Sequence, residues 1–167
     1  MSKRKDVLRM CMAELPEDEG FRHRPYYDTE EVRTIGIGFN IDKRNKTPAH
    51  PDLIPFVTGE RYFIELDEAK KILGKILDPL YDECASVFRP AGPYKESIWE
   101  TLSVGQQASI LNMYYQLGYK RFTGFVKMID AINCGNWEDT QNEARDSLWF
   151  RQTQDSRTTR VIEGLAP

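Results

Sequence analysis

Val7, Leu8, Cys11, Met12 and Leu15 recur every three to four residues, which predicts an amphipathic first helix over 4–15. Pro16 either ends that helix or kinks it before one further turn to Glu19, because proline gives up the helix N–H and crowds the preceding turn. Over 21–42 the pattern changes. "RTIGIGFNID" is rich in Ile and Phe and predicts β structure, while "DTEEV", between Asp28 and Arg33, predicts a hairpin turn. Gly36 and Gly38, two residues apart, point to close backbone approach or a local twist. Residues 43–62 carry Pro48, Pro51 and Pro55 without any period and read as a surface loop, with room for a short helix after Asp52.

From Asp67 the helical period returns. Ile72, Leu73, Ile76, Leu77, Leu80, Tyr81, Cys84, Val87 and Phe88 predict one long helix over 67–88, with Pro79 inside it as a bend. "RPAGPY" breaks it at 89–94. Ile98, Trp99, Leu102, Ala108, Leu111, Met113, Tyr114 and Leu117 then predict an apolar central helix or pair of helices that Gly118 stops. Three shorter helices are expected over 125–135, 136–150 and 156–165. The picture is an α+β chain with a small β-containing N-terminal lobe at about 17–66. A linking helix joins it to a larger helical lobe, about 89–167, which the first helix completes.

Composition narrows the function classes. The 167 residues suffice for one domain with a real core, and 40% apolar with 29% charged residues is ordinary for a globular chain. A net charge of -3 gives no field that would favour nucleic acid. Cys11, Cys84 and Cys134 are odd in number and widely spaced, which fits neither a disulfide framework nor a zinc site. Cys11 and Cys84 fall at apolar positions and read as small core residues in a reducing cytoplasm. No secretory leader or membrane span is legible. With His23 and His50 as the only histidines, a histidine-based metal site is not expected; phosphate-loop and serine-nucleophile motifs are also missing.

Carboxylates remain. Cleaving a glycosidic bond takes one carboxyl to protonate the leaving oxygen and one carboxylate on the opposite face. Glu19 stands before Gly20 at the seam of helix and sheet, where partial burial suits a proton donor. Asp28 follows nine residues on, at a strand end, and Thr34 comes six later on the neighbouring strand, where its hydroxyl can face Asp28 and help hold a water. Spacing alone favours the plainer explanation, that an acidic turn is a solvated face.

Short motifs shift that balance. "DEG" at 18–20, "YYDTE" at 26–30, "TIGIG" at 34–38 and "DEA" at 67–69 are followed in order by "NMYYQLG" at 112–118, "TGF" at 123–125, "NWED" at 136–139, "SLWFRQT" at 147–153 and "RTTRVI" at 157–162. This series resembles the T-even bacteriophage lysozyme family over about 10–163. The resemblance implies a single lysozyme catalytic domain over 1–167 with a two-lobed α+β fold, whose cleft between the lobes cuts peptidoglycan. It implies Glu19 as general acid, Asp28 as the carboxylate activating water and Thr34 as the residue placing that water. It further implies Tyr115 as an aromatic of the sugar cleft and Arg157 as the arginine orienting the acid. Gln116 and Gly118 also match, though a core or helix-end role explains them equally well.

Some positions depart from the family. Phe39 stands where the family's representative has a histidine, the loop at 43–62 differs in length, and one extra residue follows Thr153. The net charge is acidic where the best-known member is basic. Because Glu19, Asp28 and Thr34 are all present, a muramidase is expected over a non-catalytic glycan-binding relative, and over a lytic transglycosylase, which uses a lone glutamate. No cofactor and no metal are expected. Peptidoglycan is the expected partner, without nucleic acid or stable membrane association, and the chain is expected to be a monomer. Its expected role is that of an endolysin in the host cytoplasm, reaching the wall after holin-mediated release.

Overall fold

The computed structural model of the chain describes residues 2–42, 50–88, 97–153 and 155–167. The proline-bearing breaker at 89–94, part of the 43–62 loop and the residue after Thr153 therefore lie outside the described residues. The chain divides into two compact units: Met12–Asp78, and Met1–Cys11 together with Pro79–Pro167.

In the first of these units, α1 (Lys3–Glu19) ends and a three-stranded antiparallel sheet begins. The helix runs through Pro16 to Glu19, the second of the two outcomes the sequence allowed. Gly20, at φ 71°, then turns the chain in the left-handed conformation common after a helix end. Strands β1 (Arg22–Tyr27), β2 (Arg33–Gly36) and β3 (Phe39–Asn40) follow in the order β1-β2-β3. Tyr26 pairs with Thr34 and Tyr27 with Arg33, and an irregularity between Arg22 and Tyr26 separates them from the pair Arg22 and Gly36. "TIGIG" is therefore not one strand. Ile35 pairs with Phe39, so Gly36, Ile37 and Gly38 form the hairpin connection, both glycines at positive φ.

Phe39 is 2% exposed, and its ring lies so close to Gly36 that a Cβ there would come within 2.9 Å of it. Phe39→His is expected to lower stability by about 1 kcal/mol or more, since a buried imidazole would lose apolar packing and lack a partner. An unchanged midpoint in thermal or urea unfolding would refute this. Beyond the sheet, a 3₁₀ turn at Pro51–Leu53 leads into the short α2 (Ile54–Thr58), the helix anticipated after Asp52. The salt bridge of Lys75 to Asp52, at 2.6 Å, ties that segment to α3 (Leu66–Val87).

The second unit is helical. α4 (Val104–Phe122) opens later than its apolar pattern suggests, because Ser103 and Gln106 form a reciprocal capping box; Trp99–Thr101 is a separate 3₁₀ turn. Gly118, at φ 68° and ψ 169°, breaks α4 where the sequence placed a stop, and one more turn follows to Phe122. α5 (Val126–Asn133) comes next. The single helix expected over 136–150 is two, α6 (Trp137–Arg145) and α7 (Leu148–Gln152), because the Ser147 hydroxyl accepts the Phe150 N–H and starts a new helix. α8 (Asp155–Gly164) closes the chain.

An aromatic cluster anchors this unit. Trp99 stacks on Phe88 and meets Tyr81 edge-on, and Phe122 packs against both Phe88 and Tyr114. Gln107 is fully buried yet satisfied, accepting from the Tyr81 hydroxyl at 2.9 Å and donating to the Trp99 carbonyl at 2.6 Å. Cys11 and Cys84 are buried thiols, as expected of core residues, and burial pushes the Cys84 thiol well up.

Candidate active site

Helix α1 delivers Glu19 as its last residue, half-buried, against the hairpin connection. A Cβ on Gly38 would lie 3.2 Å from Glu19 Oε2 and 3.5 Å from Glu19 Cβ, so the glutamate packs over the bare backbone of Gly38. Glycine suits this position doubly, by its φ of 71° and by leaving room for the carboxyl. Gly38→Ala is expected to displace Glu19 and to strain the backbone by about 1 kcal/mol. Misplacing a reacting group by a fraction of an ångström should lower kcat/KM by roughly 10-fold in the folded fraction. Unchanged kcat/KM with only a lower Tm would show that the contact has no catalytic consequence.

Asp28 stands just past β1 and is fixed by its own turn. Oδ1 accepts the Glu30 N–H at 2.9 Å and the Val32 N–H at 2.8 Å, while the Asp28 N–H donates to the Val32 carbonyl at 3.0 Å. Glu31, at φ 57°, takes the left-handed position that closes this turn. The two carboxylate oxygens thus differ: Oδ1 is occupied by backbone donors, and Oδ2 points to Thr34 Oγ1 at 3.5 Å. Thr34 is nearly buried, and its hydroxyl lies closer to the Val32 carbonyl, at 3.1 Å. A hydroxyl has a single hydrogen. Donated to the Val32 carbonyl, it leaves the lone pairs of Oγ1 on the Asp28 side as acceptors; donated to Asp28 Oδ2, it bonds the carboxylate directly.

A fourth residue joins this group. Tyr26 precedes Asp28 by two and lies opposite Thr34 across the sheet, with the Arg22 guanidinium 4.8 Å from its ring centroid. Burial raises the Tyr26 phenol above its ordinary range; Arg22 opposes the shift, and Asp28 and Glu19 add to it. Both carboxylates therefore act on one phenol, which puts Glu19, Tyr26 and Asp28 in a common electrostatic neighbourhood. The signal for Tyr26 was its place two residues before Asp28 in "YYD".

Thus Glu19, Asp28 and Thr34 all fall within Met12–Asp78. Tyr115 and Arg157 belong to the other compact unit. Tyr115 is half-buried on α4, three residues before the break at Gly118. Arg157 is 2% exposed on α8, its Nε donating to Asn112 Oδ1 at 3.0 Å and its Nη2 to the Asn112 carbonyl at 3.3 Å. Gln116, which matched the family without a clear role, accepts from the Trp149 indole N–H at 2.8 Å and donates to Thr153 Oγ1 at 3.3 Å. That network joins α4 to α7.

A mostly helical chain with a small antiparallel sheet near its start is an α+β protein of the lysozyme-like class. No protein-family model matches the chain. Individual proteins do. The pre-baseplate central spike protein Gp5 of Enterobacteria phage T4 is 34% identical over 94% of this chain, which spans 28% of the spike protein's length. Probable T4-type lysozymes 1 and 2 of Dictyostelium discoideum are each 26% identical, over 89% and 97% of this chain and 88% and 92% of their own. The chain is thus similar to T4-type lysozymes over nearly its whole length.

Proposed function

We propose that this chain is a muramidase hydrolysing the β-1,4 bond between N-acetylmuramic acid and N-acetylglucosamine of bacterial peptidoglycan, with inversion at the anomeric carbon. The observation that carries the reading is the division of labour at Asp28: one oxygen held by two backbone N–H groups, the other beside the Thr34 hydroxyl. A water at Oδ2 donates one hydrogen to the carboxylate and the other to Thr34 Oγ1. Its lone pair is then free to attack the sugar. Glu19 gives its proton to the leaving oxygen, Asp28 takes one from the water, and the next cycle begins once that proton returns to Glu19 through solvent. These two carboxyls supply the proton donor and acceptor without a cofactor. By likeness to the family, Tyr115 contributes to sugar binding and Arg157 to the setting of the acid.

Digesting purified peptidoglycan tests the reading. Products with free reducing ends, seen by mass spectrometry, support hydrolysis. Anhydro sugars would indicate a lytic transglycosylase, and binding without products a glycan-binding relative.

Two biological settings fit this activity. One is host lysis, in which the chain waits in the cytoplasm as an endolysin until a holin opens the membrane. The match to a central spike protein, at higher identity than to either Dictyostelium lysozyme, favours the second: local wall penetration as part of a virion. Immunodetection in purified particles against infected-cell lysate separates them.

A further inference from the structure

We propose that the groove at the junction of α4 and α5 is a contact surface for an anionic phospholipid bilayer. This shallow, open groove, of about 680 Å³, lies wholly within the helical unit, far in the sequence from the carboxylates of the candidate site. Lys120, Arg121 and Lys127 line it, with Phe125 and Val126 as apolar lining and Glu143 as the acidic member. Three cations against one acid make a locally basic site on a chain whose net charge is -3. The apolar side is equally local: Val126 is 60% exposed, and Phe125, which precedes it in the lining, is half-buried.

Apolar lining beside cations suits an interface with apolar and anionic layers at adjacent depths. A bilayer surface offers that: the cations reach headgroup phosphates while Val126 and Phe125 enter the boundary below them. A soluble acidic polymer would satisfy the cations and leave the apolar groups in water, so the observations favour the lipid surface. No helix among the described residues is long and apolar enough to cross a membrane, and the contact is a reversible surface one. Since each cation is screened by salt, it weakens as ionic strength rises.

The test is co-sedimentation of the full chain with phosphatidylcholine vesicles, with and without phosphatidylglycerol. The wild-type chain should partition onto the anionic vesicles alone and come off in high salt. The triple variant Lys120→Gln, Arg121→Gln, Lys127→Gln should bind roughly 10-fold or more weaker. Val126→Ser, which leaves every charge in place, should also bind more weakly, and an unchanged melting temperature in each variant confirms that the surface, not the fold, is altered. Equal binding to both vesicle types, no binding to either, or variants that bind like wild type would overturn the proposal. So would complete displacement from vesicles by a soluble polyglutamate, which would mark the groove as a site for acidic polymers.

Discussion

Glu19→Gln is expected to lower peptidoglycan hydrolysis by about 10²–10⁴-fold, the range that general acid catalysis contributes, while the fold is retained. Glutamine keeps the size of the side chain and its place over Gly38, where a Cβ would come within 3.2 Å of the carboxyl. What it lacks is a proton acidic enough to give to the leaving sugar oxygen. Glu19 sits at the helix end and is half-buried, so the exchange removes no core packing. Release of reducing sugars, measured beside the thermal unfolding midpoint, checks both halves of the statement. A loss under about 10-fold with an unchanged midpoint would take the acid's role from Glu19.

Asp28→Asn should be about as damaging, and its geometry makes the result readable. Only the amide oxygen of asparagine can accept from the Glu30 and Val32 N–H groups, which Asp28 Oδ1 now satisfies. The NH2 group must then occupy the place of Oδ2, where it donates rather than accepts. The turn survives, since asparagine suits such turns as well as aspartate does, but no base remains for the water. A fall in kcat of roughly 10²–10⁴-fold at unchanged stability is expected. Thr34→Val should fall in the same direction by a smaller factor and Thr34→Ser should recover it, because serine restores the hydroxyl on the Asp28 side. If Thr34→Val were fully active, the hydroxyl would have no part in placing water.

The candidate residues stand at junctions that the sequence marks, but the motif series, not their spacing, singled them out. Glu19 precedes a glycine that follows a helix, Asp28 comes just after a strand, and Thr34 lies near the start of the return strand. The support beneath them was harder to read. Gly36 and Gly38 suggested close approach, but the two-residue spacing could not tell a strand face from a hairpin connection. That Glu19 is what approaches Gly38 depends on how α1 meets the sheet. The two backbone bonds to Asp28 require Glu31 at positive φ, a conformation glutamate seldom takes and the sequence does not announce. Tyr26 went unremarked since tyrosine on a half-exposed strand is ordinary until its neighbours are known.

Helix starts at Ser103 and Ser147 were missed for a related reason. The apolar period runs on through both positions, and only the side-chain hydrogen bonds to Gln106 and Phe150 show that a new helix begins there. Pro16 illustrates the converse. It weakens α1 locally by removing one N–H, yet it lies in the last turn, and the helix continues to Glu19.

The stereochemistry of the first product tests the central claim most directly. A nucleophilic carboxylate would have to lie about 5–5.5 Å from the acid, whereas a water-activating one needs about 6.5–9.5 Å. The Thr34 hydroxyl beside Oδ2 makes sense for holding a water and little sense for direct attack by Asp28. Proton NMR over the first minutes of hydrolysis should therefore show the α-anomer of the new reducing sugar before mutarotation mixes it. A β-anomer appearing first, or a glycosyl adduct trapped on Asp28, would contradict the account.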